Sequence, residues 1–393
     1  MTGFFLECAL RAHSFTRLEI YEAEAILSAN ALLPAAIAVL TTLRHLMLDS
    51  AGTVSAAMLR LFRSRLTCAE IVYSIANPPR ALKDRNAAAI LHRSEDSLRA
   101  LTLEYPCTAA DGPSYPNMRS LTLKYMDVPT TRHLVHAFPN LAILRFYDQY
   151  YESDLDVNFE DEDEDRLERK REANVAEQRE HGSWGSLIGY KGPLSVLYGL
   201  GITCPVHFLV VHEEINVSML RAVVADAHPS HLTVRITEVT YLLEKAKAFV
   251  RLCQRFEDNL YSLELNLCLS PGDWTLDMEA VMECICNALS AAPSVTAFKI
   301  ELDWAVLTSS KMPADGVFID SDGIIYNLAI TTMAREYLNG LDADAVADRL
   351  FSASKSLKTI MVVLARTDEA VVTVKRGTPE DLEVFVMLEK SEF

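Results

Sequence analysis

Residues 97–106 read SLRALTLEYP, and residues 117–126 read NMRSLTLKYM. Both stretches share the spacing apolar-x-x-apolar-x-apolar, which we call the repeat phrase. Its apolar positions, numbered one, four and six, hold Leu98, Leu101 and Leu103 in the first copy and Met118, Leu121 and Leu123 in the second. Alternation at positions four to six is typical of a β-strand, whose successive side chains face opposite sides. The repetition predicts a fold built by stacking similar units.

The repeat phrase recurs along most of the chain, and its copies predict a series of strands. Including the two quoted copies, eleven are found, with two long gaps between them. The HLTVRI copy is the weakest match to the spacing. The other nine copies read FTRLEI (15–20), LRHLML (43–48), LTCAEI (66–71), LAILRF (141–146), VHFLVV (206–211), HLTVRI (231–236), LYSLEL (260–265), VTAFKI (295–300) and LKTIMV (357–362).

Between the copies, apolar residues recur three or four positions apart, as in SAAMLRLFRS (55–64), which is the spacing of a helix. Strand, turn, helix and turn in succession is the layout of leucine-rich repeats. We therefore predict an α/β, leucine-rich-repeat-like (ribonuclease-inhibitor-like) curved solenoid, with a parallel sheet on the concave face and helices on the convex face. The competing fold is a doubly wound sheet, whose strands are apolar on both faces. Position five is often polar here, which favours the solenoid.

The longest interruption of the pattern is strongly acidic. Residues 152–181 contain 13 acidic and 5 basic residues. We predict a disordered insertion at 151–183, because its first half has too little apolar surface to become ordered, although its second half could form a solvated helix. This insertion separates N-terminal repeats (1–150) from C-terminal repeats (184–393). An alternative role for the insertion is an acidic docking arm for a basic partner.

Two stretches of the C-terminal part predict antiparallel strands. The Asp-Gly pairs in KMPADGVFIDSDGIIYN (311–327) are typical of tight hairpin turns. The tail AVVTVKRGTPEDLEVFVMLE (370–389) predicts a hairpin or strand pair that caps the last repeat.

Composition excludes several partner classes. The net charge of -17 argues against nucleic acid or an anionic membrane as the main partner, because both attract clustered Lys and Arg. The longest apolar run, ALLPAAIAVLTTL (31–43), is too short to span a bilayer. The eight cysteines are scattered without a C-x-x-C pair, which favours reduced thiols in a cytoplasmic or nuclear protein.

Signatures of catalysis, metal binding and cofactor binding are weak. His133 and His136 are three residues apart on a predicted helix but have no Glu between them and no third ligand nearby. Gly199 and Gly201 precede a strand instead of following one, which is the wrong order for a dinucleotide site. Neither a phosphate-binding loop nor a G-x-S-x-G motif occurs. We predict that the chain is not an enzyme and uses no metal or cofactor.

One stretch, GSWGSLIGYKGPLSVLYGLGITCPVHFLVV (182–211), carries a family resemblance through Trp184, Leu187, Leu194, Tyr198, Leu200, Cys204 and Pro205. The phrases LRHLML and FPNLAILRF are also similar to repeats of the same family. Together with this stretch, they make the chain resemble the F-box/leucine-rich-repeat proteins abundant in mushroom-forming fungi. In that family an F-box binds the Skp-type adaptor of a cullin ubiquitin ligase, and the repeats hold the substrate. No F-box is found here: the Leu-Pro of LLPAAIAVL (32–40) lies between two repeat copies and lacks the family's acidic residue.

The solvent-facing positions of the strands are the candidate binding residues. We predict a non-enzymatic protein–protein interaction scaffold, monomeric by itself, that presents its concave surface to a protein ligand. The alternative is the substrate-recognition subunit of a cullin-type ubiquitin ligase whose F-box is missing or truncated, with the Skp-type adaptor as a partner. The candidate residues are Glu19, Met47, Glu70, Thr102, Thr122, Arg145, Tyr147, Val210, His212, Arg235, Glu264 and Lys299.

Overall fold

The computed structural model forms two compact units, Met1–Pro205 and Val206–Phe393. Each unit is a series of strands and helices that alternate along the chain. The structure describes residues 15–74, 85–104, 112–124, 127–147, 164–212, 216–256, 259–269, 273, 276–304, 317–319, 325–327, 334, 337–338, 340–365 and 371–377.

The described residues of the first unit include seven parallel strands, whose order in the sheet follows their order in the chain. The strands are β1 (Arg17–Ile20), β2 (His45–Ala51), β3 (Cys68–Tyr73), β4 (Ala100–Glu104), β5 (Ser120–Lys124), β6 (Ile143–Tyr147) and β7 (Leu187–Pro193). The helices are α1 (Ala23–Ser28), α2 (Leu32–Ala38), α3 (Thr53–Leu61), α4 (Ala87–Ile90), α5 (Thr131–Ala137), α6 (Glu164–His181) and α7 (Leu194–Leu200). A doubly wound sheet reverses its strand order at one point, whereas these seven strands do not.

The cross-strand register superposes successive copies of the repeat phrase. Leu18 pairs with Leu46, Leu46 with Ala69, and Ala69 with Leu101, so position four forms a continuous row. In β1 to β6 the side chains at positions four and six are all buried. Each large apolar side chain buried in this way contributes about 1.5–3 kcal/mol. The six strands predicted for this part of the chain are confirmed.

The helices of the first unit pack on the buried face of the strands and support one another across repeats. The α1 and α3 helices both contact β2. The N-terminus of α3 is capped by Glu24 of α1, whose carboxylate accepts hydrogen bonds from the backbone N–H groups of Val54 and Ser55 at 2.8 and 3.1 Å. Gly52 leaves room for this cap, because a Cβ there would lie 2.5 Å from the carboxyl carbon of Glu24.

Strand β7 was not among the predicted strands, yet it carries a copy of the repeat phrase in which glycine replaces the apolar residue at position six. Leu144 pairs with Tyr190, so Leu187, Tyr190 and Gly192 occupy positions one, four and six. A Cβ on Gly192 would lie 2.8 Å from the hydroxyl of Tyr190 and 2.9 Å from Cβ of Phe146. The large Tyr190 side chain therefore fills the space that an apolar residue at position six would need. The sequence analysis missed this copy because it required an apolar residue at position six, where this strand has glycine.

Residues 164–181 form the 18-residue helix α6, the option that the sequence left open for the second half of the insertion predicted at 151–183. The helix follows β6, precedes β7 and packs against α5 and α7, as a repeat helix does. Three of its side chains are buried, so these residues are neither disordered nor a purely solvated helix, which corrects the prediction for them. Residues 148–163 lie outside the described part of the chain. The physical reason is that α6 is held by buried polar side chains, which an apolar pattern does not reveal.

Two buried amides fasten α6 to its neighbours. The Oδ1 atom of Asn174 accepts the backbone N–H of Thr131 at 3.0 Å, at the start of α5. Its Nδ2 donates to the carbonyl oxygen of Gly199 at 2.8 Å, near the end of α7. The Nε2 of Gln178 donates to the carbonyl oxygen of Gly201 at 2.7 Å. These bonds satisfy backbone groups at helix ends that would otherwise be buried without partners.

Within its described residues, the larger sheet of the second unit continues the same organisation with five parallel strands and one antiparallel strand. Its sheet runs in the order β8 (Val206–His212), β9 (His231–Ile236), β10 (Ser262–Cys268), β11 (Ala297–Asp303), β14 (Thr359–Ala365) and β15 (Val371–Arg376). Its helices are α8 (Val217–Ala227), α9 (Val239–Glu244), α10 (Ala246–Cys253), α11 (Met278–Ser290) and α12 (Ala343–Ala353). The five parallel strands are the five predicted for this part, which confirms them.

The antiparallel hairpin predicted for residues 311–327 is confirmed, whereas the strand pair predicted within the tail 370–389 stays a prediction. Strand β12 (Val317–Ile319) pairs antiparallel with β13 (Ile325–Asn327), as the Asp-Gly turns indicated. Strand β15 pairs antiparallel with β14 and is the last strand of this sheet. The second half of the predicted capping hairpin, residues 378–389, lies outside the described residues.

We predict that Asn174→Ala destabilises the first unit by about 2–4 kcal/mol, because the substitution leaves a buried N–H and buried carbonyls without partners. Glu172→Ala, an exposed substitution on the same helix, is the matched control, and its change should stay within about 0.5 kcal/mol. Urea unfolding followed by circular dichroism measures both. Equal stability of the two variants would show that α6 is not fastened through this amide.

Candidate functional site

Position five of the repeat phrase forms one line across the first unit, which we call the position-five stripe. The cross-strand pairs are Glu19 with Met47, Met47 with Glu70, Glu70 with Thr102, Thr102 with Thr122, and Thr122 with Arg145. Because neighbouring strands are about 4.8 Å apart, these six residues span about 24 Å. Five of the six are partly or fully exposed, on the side opposite to the buried positions. The predicted candidate Tyr147 is exposed at position seven of β6.

Strand β7 extends the stripe by a residue that the sequence analysis missed. Lys191 pairs with Arg145 and is partly exposed. It was missed because its strand was not recognised. The spacing of Leu187, Tyr190 and Gly192 would have revealed it, had glycine been allowed at position six.

Charges along this face of the first unit are segregated by strand. Positions five and seven of β1 to β4 carry carboxylates, whereas those of β5 to β7 carry cations. The two groups meet where the ammonium of Lys124 lies 3.6 Å from the carboxylate of Glu70. The carboxylates are Glu19, Asp49, Glu70 and Glu104, and the cations are Lys124, Arg145 and Lys191.

Thr122 was predicted to be accessible on the stripe, but it is buried, with 7% of its surface exposed. The cause is Arg145, whose Nη1 donates to the hydroxyl oxygens of Ser120 and Thr122 at 3.1 and 3.5 Å. The guanidinium therefore lies across β5 and covers the threonine. Burial lowers the pKa of Arg145 from its usual value. The buried Nε atom of Arg145 has no hydrogen-bond partner in the part of the chain that the structure describes.

Glu104 is a buried carboxylate at position seven of β4, with 7% of its surface exposed. Burial raises the pKa of Glu104 above its usual range. The positive charge of Lys124 opposes this shift, whereas the negative charges of Asp49 and Glu70 add to it. Because the net direction is upward, the folded first unit stabilises the protonated form of Glu104 relative to the ionised form.

In the second unit, the stripe differs from the prediction by one residue. Val210 pairs with Thr233, Thr233 with Glu264, and Glu264 with Lys299, so Thr233 holds position five of β9. Arg235, predicted at position five, pairs instead with Asn266 at position seven and is exposed there.

The shift arises because the HLTVRI copy begins two residues earlier than the prediction placed it. Leu232 pairs with Leu209 of β8 and with Leu263 of β10, so Leu232 is at position four. Leu232 and Val234 are both buried. The strand has a third apolar residue in the same alternation, Ile236, and the pattern alone could not decide which two to align.

A second correction concerns Glu264, which is also buried, with 8% of its surface exposed. The ammonium of Lys299 lies 2.7 Å from one oxygen of its carboxylate, and the hydroxyl of Thr233 donates to the other at 3.2 Å. These groups form a polar row across three strands, in which only Glu264 is buried. The remaining candidates of this unit, Val210, His212 and Lys299, are partly exposed.

Among the residues that the structure describes, there is no group of three His, Cys, Asp or Glu side chains that could hold a metal ion. Burial raises the pKa values of Cys204 and Cys284 to about 11, so both thiols are protonated at neutral pH. In the same described ranges, no helix combines the length and apolar character that a membrane span needs.

Comparison of the sequence with protein-family models and with curated proteins finds no match. The family resemblance of residues 182–211 therefore stays a hypothesis. The structure places this stretch in β7, α7 and β8, so it includes the strand that the repeat pattern missed.

We predict that Glu104→Gln raises the melting temperature at pH 7 but not at about pH 3, where the wild-type carboxyl group is protonated in both states. The folded pKa is raised, so stability of the wild type falls as the pH rises from the unfolded pKa through the folded pKa. Above this window the folded state keeps an unfavourable buried charge, which glutamine lacks. Asp96→Asn, at an exposed carboxylate of the same unit, is the control. Thermal melting of the variants across this pH range measures the effect, and equal profiles for both would contradict it.

Proposed function

We propose that this chain is a non-enzymatic interaction protein that binds a protein partner through the solvent-facing side of its parallel strands. The observation that carries the proposal is the register of the first unit, which aligns one side chain per strand from Glu19 to Lys191. Rigid rows of this kind present many side chains at fixed spacing, which suits a large ligand better than a small molecule.

The segregated charges indicate what the partner surface looks like. Carboxylates on β1 to β4 favour a basic patch on the partner, and cations on β5 to β7 favour an acidic patch beside it. Because Glu104 is buried and Arg145 is only partly exposed, a partner charge that pairs beside them would do so in surroundings with little water. The proposed ligand is therefore a protein surface with its own two charge patches.

We further propose that the repeats are of the leucine-rich type, stacked as a curved solenoid with the strands on the concave side. One strand per repeat, a sequential strand order and helices on the buried face support this proposal. All six cysteines in the described residues are free thiols, which supports a cytoplasmic or nuclear location.

The resemblance to F-box proteins offers a second proposal, the substrate-recognition subunit of a cullin-type ligase. The Leu-Pro stretch lies in α2, where Leu33 and Ile37 are buried in the first unit. These two side chains are therefore unavailable to an adaptor. Residues 1–14 lie outside the described part of the chain. Tight binding of a purified Skp-type adaptor would establish this second function, and we favour the scaffold until such binding is seen.

Photocrosslinking tests the scaffold proposal directly. We expect p-benzoylphenylalanine at Met47 or at Tyr147 to form a covalent adduct with one and the same partner in cells of the source organism, because both positions lie on the proposed binding face. Leu61, exposed on α3 of the same unit, is the matched control position. Mass spectrometry of the adducts identifies the partner.

A charge reversal on the stripe sharpens this test. Glu70→Lys should weaken the Met47 adduct by about tenfold, because it places a like charge opposite the basic patch of the partner. Adducts that form from Leu61 and not from the stripe would contradict the proposal, as would different, unrelated adducts from Met47 and Tyr147.

A further inference from the structure

The helical face of the second unit carries a cluster of exposed cations in a strongly acidic chain. We call Arg221 on α8, Lys247 and Arg251 on α10, and Arg255 just after α10 the basic cluster; all four side chains are exposed. In the described part of the chain, none of the four forms an ion pair with a carboxylate. With a net charge of -17 for the whole sequence, four exposed cations on neighbouring elements that pair with no described carboxylate are unexpected.

Two open grooves run beside α10 and contain the basic cluster. The first, of about 610 Å³, lies between α8 and α10 and places Arg221 and Arg255 over an apolar floor that includes Leu252 and Leu260. The second, also of about 610 Å³, lies between α10 and α11 and contains Lys247 and Arg251. Among the described residues that line either groove there is no Asp or Glu.

The spacing of the cations matches a helical ligand. Lys247 and Arg251 are four residues apart on α10, which corresponds to a rise of about 6 Å, and Arg255 follows four residues later, just past the end of the helix. An amphipathic helix with carboxylates at every fourth residue repeats at the same distance. Its apolar face would cover the apolar floor between the cations.

We propose that the basic cluster and its two grooves form a second binding surface, for an acidic amphipathic helix of a partner protein. Recognition combines burial of the partner's apolar face against α8 and α10 with charge pairing at the rim. This surface lies on helices, whereas the proposed scaffold surface lies on strands, so the inference goes beyond the proposed function and does not depend on it.

A nucleic acid is the less favoured occupant of these grooves. Four cations give only a short stretch of positive charge, while a nucleic acid carries charge along its whole length and would also meet the repulsion of the acidic chain. The apolar floor makes no favourable contact with a polar sugar-phosphate backbone, whereas leucine or alanine side chains would be buried against it.

The test uses the full chain and a defined probe. The probe is a fluorescein-labelled 16-residue peptide of Glu, Leu and Ala, with Glu at every fourth position of one helical face and Leu on the other, and fluorescence anisotropy measures its binding. We expect saturable binding that weakens with added salt, because exposed ion pairs are screened. A peptide in which Gln replaces Glu should not bind measurably.

Two double variants with the same change in charge locate the site. Arg251→Glu with Arg255→Glu should weaken the probe by about tenfold or more, because two attractive pairs become repulsive. Lys355→Glu with Lys358→Glu, at exposed positions of the same unit away from the grooves, should change binding by less than about twofold. Because all four side chains are exposed, thermal melting should show that both doubles stay folded.

Three results would overturn the inference. One is equal weakening by both double variants, which would mean that only the overall charge matters. Another is the absence of saturable binding by the acidic peptide. The third is tighter binding of a single-stranded oligonucleotide of equal charge, with the same loss in the Arg251→Glu, Arg255→Glu double, which would assign the surface to nucleic acid.

Discussion

The structure depends on one constraint, which is that a single repeat cannot bury its own apolar side chains. Positions four and six of each strand reach the helical layer, but a lone strand and helix leave their flanks open to water. Parallel pairing in register places Leu18, Leu46 and Ala69 side by side, so that each repeat closes the flank of the one before it. The register is therefore stabilised by the free energy of burying the side chains at positions four and six in every repeat.

The same constraint creates the candidate functional surface. A strand places alternate side chains on opposite faces, so any register that aligns positions four and six also aligns position five. The side chains from Glu19 to Lys191 form a row for this reason, whatever their chemistry. What is specific to this chain is the content of the row: carboxylates on one group of strands, cations on the next, and one covered residue, Thr122, over which the Arg145 side chain of the neighbouring strand lies.

The sequence was sufficient to predict the eleven strands that use apolar residues at the key positions, because burial acts on residue type and the spacing is regular. The sequence was insufficient to predict elements that are held by the shape of neighbouring side chains or by hydrogen bonds to distant atoms. Gly192 and the large Tyr190 together do what two apolar residues do elsewhere, and Asn174 holds α6 by hydrogen bonds that depend on distant backbone atoms. The register of β9 also needed its neighbours, because three alternating apolar residues allow two alignments of Arg235.

The central claim is that the parallel ladder of the first unit runs without interruption through β7, with α6 as a regular repeat helix. Amide hydrogen exchange measured by mass spectrometry tests this claim most directly, since a paired or helical N–H exchanges only when the structure opens. Peptides covering 164–181 and 187–193 should be protected to the same extent as a peptide covering β6 at 143–147. Exchange of those two segments at the rate of an unfolded chain, with β6 still protected, would contradict the account.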